Sequence, residues 1–198
     1  MQNNRVKEIA IEFFGPFILA SVNTDVLNDC AFANKRGLYI WAVEMPNKTF
    51  RITYIGETQR SFYLRTKEHI VKQLGGYYRV CEPNKLKNGE CDFIWDGLWG
   101  KDSKNRFPEF LSNYLLLAPK IKESLLAHSI FLAPLNVEAD KQKRIESAIA
   151  SEVRKNSNES ALFLSGVKYD QPLMQKENFI VKIKSSRVLE GLPTEINL

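Results

Sequence analysis

The side chains best suited to chemistry are two tyrosines, an arginine and a glutamate that occupy separate segments of the chain. Tyr39 and Tyr54 lie in apolar segments typical of strands, and Arg65 lies in a segment with helical spacing. A guanidinium held in place stabilises negative charge and grips two phosphate oxygens at once. Glu146 falls at the edge of an apolar helix face, where a carboxylate is costly without a partner, which favours a ligand role. These residue types suit phosphodiester hydrolysis assisted by a divalent cation.

Two strands and a turn must position the tyrosines. Residues 37–44 have the apolar and aromatic content of a buried strand, and residues 50–56 alternate in polarity as a strand does. The composition of residues 45–48 is typical of a turn, so we expect the two strands to pair antiparallel. The hairpin would bring both tyrosines into one sheet.

A helix is predicted to follow the hairpin, over residues 59–74, with Thr58 as its cap and Gly75-Gly76 as its stop. Arg65 and His69 are four residues apart and are therefore neighbours on one face of this helix. The opposite, apolar face is expected to pack inward through Tyr63, Leu64, Ile70, Val71 and Leu74.

The rest of the chain predicts a small layered fold of the α/β (α+β) class. Its further elements are a helix over residues 4–14, a strand at 129–135, a helix at 138–155 and a late strand at 178–184. We expect one domain, residues 1–198, divided into an N-terminal helix within 1–16, a core of 36–76 and 128–165, a helical and loop insertion at 77–127, and a C-terminal β extension at 166–198.

The chemical residues and their order resemble those of the GIY-YIG nuclease family. Gly37-Leu38-Tyr39 and Tyr54-Ile55-Gly56 are similar to the two tripeptides that name the family, and the pair on adjacent strands is more specific than either alone. The helix FYLRTKEH resembles the one that carries the family's catalytic arginine, and Glu146 resembles its metal-binding glutamate. The Arg-x-x-x-His spacing most resembles the restriction-enzyme branch. The resemblance covers residues 37–76 well and 128–160 fairly.

This resemblance implies a three-stranded antiparallel sheet flanked by helices and a metal-dependent DNA endonuclease, restriction-like and site-specific. It implies that Tyr39 is the general base, that Arg65 stabilises the transition state and that Glu146 holds one Mg²⁺, with Mn²⁺ as a substitute. Tyr54 and His69 would orient Tyr39 or a phosphate oxygen. Since an unperturbed tyrosine has a pKa of about 10, nearby positive charge would have to lower that of Tyr39.

Several residues are candidates for contact with nucleic acid. An asparagine stands at the position of Asn158 in the excision-repair members of the family. Trp95 and Trp99 would either stack on DNA bases or anchor a long loop to the core, and we favour the anchor. The basic candidates are Arg60, Lys72, Lys101 and Lys104.

Composition limits the other classes. The net charge of +5 is compatible with a polyanionic partner such as DNA. Three cysteines without a Cys-x-x-Cys pair argue against a disulfide framework and a structural zinc site. We expect no membrane segment, because no apolar run approaches about 18 residues, and a cytoplasmic location, because the first residues do not read as a signal peptide.

The sequence leaves several alternative functions open. The same fold could serve as a binding module for nucleic acid or protein with little or no catalysis, or as a DNA-repair or mobile-element nuclease. Glu57 would place negative charge near the phosphate, and Glu152 competes with Glu146 as the metal ligand. Cutting both strands with one site per chain favours a homodimer.

Overall fold

The computed structural model describes residues 7–19, 30–99, 103–164 and 177–198, and at 103 and 104 it describes the backbone only. In chain order the elements are β1 (Lys7–Ile18), β2 (Gly37–Glu44), β3 (Phe50–Thr58), α1 (Phe62–Leu74), β4 (Val80–Cys81), α2 (Pro83–Lys87), β5 (Phe93–Trp95), α3 (Ser103–Leu126), β6 (His128–Pro134), α4 (Ala139–Asn156), α5 (Asn158–Leu164), β7 (Phe179–Ser185) and β8 (Glu195–Asn197). Among the described residues, no helix combines the length and apolar character needed to cross a bilayer.

The main sheet has six strands in the order β3-β2-β6-β1-β7-β8. Strands β3, β2, β6 and β1 pair antiparallel in turn, whereas β1 and β7 pair parallel. The predicted α+β class is therefore confirmed. The sheet is larger than the three strands expected, because the two ends of the chain extend it through β1, β7 and β8.

The predicted N-terminal helix is wrong: the chain from Lys7 to Ile18 is strand β1, in the middle of the sheet. Ile9, Ile11 and Phe13 alternate with polar or small residues, and Ile11 and Phe13 are buried. Such alternation is the period of a strand, and pairing with β6 on one side and β7 on the other fixes it. The register shifts between Phe14 and Phe17, where the chain contains Gly15-Pro16.

The two faces of the sheet carry different layers. On one face, β2 side chains such as Ile40 join a core with residues of α4, including Ile145 and Ile149. On the other face, Tyr39 and Trp41 pack with Phe62 of α1. Because side chains alternate along a strand, β2 contributes to both layers, and its tyrosine lies on the side of α1.

Strand β3 contains a bulge that turns Tyr54 toward Tyr39. Tyr54 pairs with Trp41 of β2 and Ile52 pairs with the next residue, so Thr53 is the additional residue. The Thr53 hydroxyl donates a hydrogen bond to the Trp41 carbonyl oxygen over 3.1 Å. Ile52 and Tyr54 would share a face in a regular strand; here Ile52 joins the α4 core while Tyr54 packs beside Tyr39.

Helix α1 begins at Phe62 rather than at residue 59. Its N-cap is Ser61, whose hydroxyl accepts the Leu64 N–H, whereas Thr58 bonds locally to Arg60. The predicted inward face is correct only in part: Tyr63 and Ile70 are half-buried against the sheet, whereas Leu64, Val71 and Leu74 are exposed. The buried residues of the helix are Phe62, Thr66 and His69. The helix therefore turns its Arg65–His69 side toward the sheet, because the buried aromatic surface of β2 lies there.

The segment predicted as an insertion forms a small layer of its own. Strands β4 and β5 pair antiparallel, and α3 packs on them around Phe110 and Ile121. Trp95 is buried, and its indole N–H donates to the Gly76 carbonyl oxygen over 2.7 Å. Trp95 therefore anchors this segment, as expected, whereas Trp99 is 69% exposed.

Candidate active site

The two glycine–tyrosine tripeptides bring backbone and ring into close contact. A Cβ at Gly56 would overlap the Tyr39 phenol and crowd the Tyr54 ring, because Gly56 pairs directly with Tyr39 across the hairpin. Gly37 has a φ of +150°, and a Cβ there would overlap the Ala133 carbonyl oxygen of β6. At both positions an added side chain would clash with its neighbours, and the missing side chain at Gly56 makes room for Tyr39.

The Tyr39 hydroxyl is the centre of a short hydrogen-bond chain. The Arg65 Nε–H donates to the Tyr39 oxygen over 3.0 Å, and that oxygen lies 3.0 Å from His69 Nε2. A guanidinium only donates, so the Tyr39 oxygen accepts from Arg65, and two acceptors are in reach of its own proton: His69 Nε2 and the Tyr54 hydroxyl, with which Tyr39 also shares a hydrogen bond. When the proton points to His69, the order is Arg65 to Tyr39 to His69, and His69 carries its own proton on Nδ1.

The state of His69 agrees with this order. Burial lowers its pKa to about 3, and the nearby Arg65 charge acts in the same direction. His69 is only 7% exposed, and its ring stacks on Tyr78 with centroids 5.3 Å apart. At neutral pH it is an uncharged imidazole held against Tyr39.

Both tyrosines are protonated in the free protein. Burial raises the pKa of Tyr39 well above its ordinary value, and Tyr54 adds to the rise, while Arg65 opposes it. Burial also raises the pKa of Tyr54. The shift of Tyr39 is opposite to the lowering expected from the sequence, because Tyr39 is 2% exposed and burial outweighs the single guanidinium.

A glutamate missed at the sequence level organises the positive charges around Arg65. Glu68 accepts hydrogen bonds from Arg65 over 3.1 Å and from Lys72 over 2.7 Å, and it also pairs with Arg60. The Lys72 and Arg60 hydrogen bonds lower its pKa to about 2. Three cations around one carboxylate leave local positive charge. The sequence signal for Glu68 is its spacing: it lies three residues after Arg65 and four residues before Lys72, so the three share one face of the helix.

Glu146 reaches this cluster from the opposite layer, at the β3 edge of the sheet. The Arg65 charge lowers its pKa, and its own charge raises the pKa of Tyr54, so it lies within electrostatic range of both. Burial and then the Glu57 carboxylate outweigh Arg65, and the pKa of Glu146 is raised to about 7. Two acidic groups thus share a partly buried position.

Gln142 lies one helical turn before Glu146 and holds the side chain of Glu57 in place. Its Nε2 group donates to the Glu57 carboxylate and to the Gly37 carbonyl oxygen, both over 3.0 Å. Gln142 is fully buried. Helix α4 therefore holds the Glu57 side chain and carries Glu146 on the same face.

The other predicted site residues fall in different places. Arg60 and Lys72 lie beside Arg65 through Glu68. Glu152 pairs with Lys155 over 2.6 Å, so the geometry favours Glu146 as the ligand. Asn158 begins α5, and the contacts of the described residues do not connect it with Arg65 or Glu146. Lys101 lies outside the described residues. Lys104 lies in α3, but its side chain is outside them as well.

A cavity of about 840 Å³ adjoins the cluster on the α1 side of the sheet. We call it the aromatic cavity. Arg65 and Lys72 supply positive charge to its lining. Its ring-bearing walls come from β2, β3, α1, β6 and the 77–127 segment and include Trp41, Tyr54, His69, Tyr78, Trp99 and His128.

The carboxylate oxygens of Glu146 and Glu57 are donors of the kind that bind a divalent cation. Burial and then the Glu57 charge raise the pKa of Glu146, and a cation bound at this carboxylate would favour its ionised form. Within the described part of the chain, no three His, Cys, Asp or Glu side chains come together as a metal site. Magnesium needs fewer, since it retains several waters and uses one or two carboxylates.

Comparisons with models of protein families, with curated proteins and with solved structures find no match for this chain.

Proposed function

We propose that this protein is a metal-dependent DNA endonuclease whose active site is built by Tyr39, Arg65, His69 and Glu146. The single observation that carries the proposal is the hydrogen-bond chain from Arg65 through Tyr39 to His69, with Glu146 in electrostatic range of Arg65. In this proposal β3, β2 and β6, which pair antiparallel, together with α1 form the GIY-YIG-type core.

Arg65 is the residue for binding the phosphate and stabilising its transition state. Its side chain is 23% exposed, so it is partly desolvated and still reachable. Glu68 and Tyr39 hold the guanidinium from two sides, which fixes its direction before the substrate arrives. Preorganised positive charge of this kind supplies a large part of transition-state stabilisation in phosphoryl transfer.

Tyr39 acts as a proton relay in this mechanism. As its oxygen takes a proton from the attacking water, its own proton passes along the existing hydrogen bond to His69 Nε2. The tyrosine remains neutral throughout, so its raised pKa does not oppose the step. His69 becomes the imidazolium only transiently, because burial lowers its pKa to about 3, and it returns the proton through Tyr39 to the leaving-group oxygen as the phosphodiester bond breaks. Arg65 keeps its proton and only donates.

Glu146, with Glu57 beside it, would hold a magnesium ion. Bound there, the metal would supply Lewis-acid stabilisation of the phosphate and the leaving group. Manganese would substitute because it accepts the same oxygen ligands. The Glu57 backbone N–H donates to the Glu146 carboxylate, so β3 helps to hold this side chain in place.

DNA would approach over α1, where Arg60, Lys72 and Arg65 lie around Glu68. One site per chain cuts one strand at a time, so a restriction-like cut of both strands favours a homodimer.

A second candidate function is a binding module on the same fold. The observation that favours it is the protonated, buried Tyr39, which is not ready to act as a base on its own. This module would bind DNA through the same positive charge and would not cut it.

The test is cleavage of mixed-sequence plasmid and phage DNA with magnesium and with chelator. The nuclease proposal expects fragments or nicks that need magnesium and disappear in Arg65→Ala and Glu146→Gln. Glu152→Gln and Arg187→Ala are matched controls that should cut as the wild type does. Binding without cleavage under Mg²⁺ or Mn²⁺ supports the second candidate. Cleavage that survives both site variants contradicts the assigned residues.

A further inference from the structure

The cations that the proposed function assigns to DNA lie on one side of the site. Arg60, Arg65 and Lys72 surround Glu68 on α1, and this carboxylate compensates part of their charge. The proposed mechanism assigns no cation to the α4 side, where Glu146 lies. A nucleic-acid strand carries a phosphate at every nucleotide, so a strand that crosses the site brings phosphates to both sides.

Arg36 lies at the end of the sheet that carries the carboxylates. It directly precedes Gly37 of β2, which pairs with Thr58, the residue after Glu57. The Arg36 carbonyl oxygen accepts the Leu135 N–H over 3.0 Å. The backbone at Arg36 is therefore tied to the segment that follows β6, and its position does not depend on a ligand.

Two neutral amides hold the Arg36 guanidinium at the surface. Its N–H groups donate to Gln59 Oε1 over 3.1 Å and to Asn136 Oδ1 over 2.6 Å. Arg36 is exposed, and none of the ion pairs among the described residues involves it. Glu8 and Glu138 line the same shallow cavity as Arg36 without pairing with it. A guanidinium has five N–H groups, so donors remain for a ligand, and a planar fork held in advance binds phosphate at a low entropic cost.

Gln59 connects Arg36 to the carboxylate half of the site. Its Oε1 atom accepts from Arg36, and its Nε2 group donates to Glu57 Oε2 over 3.4 Å. The Glu57 backbone N–H in turn donates to the Glu146 carboxylate. One neutral side chain thus separates the guanidinium from Glu57, so Arg36 lies beside the proposed site and keeps its charge for a ligand.

A second cation lies on the same side. Lys143 of α4 is exposed, and it takes part in no ion pair in the described part of the chain. The side chain of Gln142, the preceding residue, donates to the Gly37 carbonyl oxygen over 3.0 Å, so this turn of α4 lies against the start of β2. The charges of Arg65 and Lys143 both lower the pKa of Glu146, which therefore lies in electrostatic range of a cation from each layer.

We propose that Arg36 and Lys143 form a second phosphate-contact surface, which holds the DNA backbone on the α4 side of Glu146 while Arg65 holds it on the α1 side. Arg36 would bind a phosphate other than the one at Arg65 through its remaining N–H groups, and Lys143 would add charge beside it. The choice of DNA as the ligand rests on the proposed function, but this binding needs neither metal nor cleavage. Such contacts carry no sequence information and fix the position of the backbone at the site.

The experiment measures how binding of DNA depends on salt, by fluorescence anisotropy of a short labelled duplex in the presence of chelator. The slope of log affinity against log salt concentration falls by about one for each phosphate contact that is removed. We expect Arg36→Ala and Lys143→Ala each to weaken binding about threefold or more at low salt and to lower the slope by about one, and the double variant to lower it by about two. Arg36→Lys keeps the charge but loses the fork, so it should retain the slope and bind more weakly than the wild type.

The matched controls are Arg187→Ala and Lys184→Ala, which remove exposed cations at the far end of the sheet. Val188, the residue after Arg187, accepts the Phe50 N–H at the end of β3 opposite Thr58. Both controls should keep the wild-type slope. Urea unfolding checks that each variant is folded, and if Arg36→Ala is not, Arg36→Lys and Lys143→Ala decide.

The outcomes separate this surface from the nuclease activity. Wild-type slopes in both alanine variants, or an equal fall of the slope in the controls, overturn the surface, and cleavage of DNA in that case would leave the nuclease proposal standing. Reduced slopes in a protein that never cuts DNA would keep the surface and remove the nuclease. A wild-type protein that binds no DNA at low salt would overturn both.

Discussion

The two halves of the site are held together in different ways. Tyr39, Arg65 and His69 come from one hairpin and the next helix and satisfy one another through hydrogen bonds. Glu146 comes from α4 on the other layer, where burial and then the Glu57 charge raise its pKa. The first half is linked by hydrogen bonds, whereas in the second half a partly buried carboxylate is costly to ionise. Preorganisation and this cost of ionisation are separate properties, and variants can separate them.

Removal of the Tyr39 hydroxyl should have the largest effect on the preorganised half. In Tyr39→Phe the ring remains in its buried position, but the proton path to His69 is lost. We expect cleavage to fall about 10³–10⁴-fold, the range for loss of general acid–base catalysis, while DNA affinity stays within about twofold. Single-turnover cleavage and a filter-binding assay measure the two quantities.

Tyr114→Phe is the matched control, since Tyr114 is an exposed tyrosine of α3 and should be dispensable for cleavage. If Tyr39→Phe cuts DNA at the wild-type rate, the relay is wrong.

Displacement of the Tyr39 ring, with its hydroxyl retained, should slow cleavage less than removal of the hydroxyl. In Gly56→Ala the added Cβ overlaps the Tyr39 ring, so either the ring or β3 must shift. We expect about 10²-fold slower cleavage and a loss of about 1–3 kcal/mol in the free energy of unfolding. Urea unfolding measures the stability.

Gly75→Ala is the matched control for Gly56→Ala. Gly75 has a negative φ, and its nearest neighbour would be the Val71 carbonyl oxygen of the same helix at 3.3 Å. Equal stability of the two variants would show that the close approach at Gly56 is not needed.

The half that contains Glu146 should gain stability when the Glu146 charge is removed, because burial and then Glu57 make that charge costly. The pKa of Glu146 is raised to about 7, above the value of 4.5 in an unfolded chain. The folded state therefore binds more protons between these values, and the wild type loses stability as pH rises from about 4.5 to 7. Glu146→Gln should abolish this loss and raise the free energy of unfolding by roughly 1–3 kcal/mol at pH 8, relative to its effect at pH 4.

Urea unfolding at both pH values checks the prediction. Glu152→Gln should not show the gain, because Glu152 is paired with Lys155. A Glu146→Gln protein that is no more stable at pH 8 would contradict a raised pKa of Glu146 in the folded state.

Neutralisation of Glu68 should have the smallest effect. Glu68→Gln removes the carboxylate that pairs with Arg60, Arg65 and Lys72, so binding of DNA should tighten about three- to tenfold at low salt and lose this gain at high salt. Fluorescence anisotropy at several salt concentrations measures the change, with the exposed Glu109→Gln of α3 as control. Unchanged affinity at every salt concentration would separate this cluster from DNA binding.

The hairpin and helix were predictable because their signals are local. The strands at 37–44 and 50–56, the following helix and the neighbouring Arg65 and His69 depend on residues close in sequence. The inward face of α1 was not predictable from its own periodicity, because the apolar stripe of Leu64, Val71 and Leu74 is left exposed while the polar side meets the sheet.

Other features depend on distant parts of the chain. Strand β1 alternates in polarity over only a few residues, and its partners are β6 and β7, more than a hundred residues away in sequence. The bulge at Thr53 depends on pairing with β2, and without it Tyr54 would face away from Tyr39. The interaction of Glu57 with Glu146 likewise follows from packing between elements.

A double-variant cycle on cleavage tests most directly whether the two halves form one active site. Magnesium-dependent cleavage rates would be measured for the wild type, Arg65→Ala, Glu146→Gln and the variant with both changes. Residues that act on the same transition state give non-additive losses, so we predict that the double variant cuts no more than about tenfold more slowly than the slower single variant. Losses that multiply, or magnesium-dependent cleavage that both changes leave intact, would contradict a shared site.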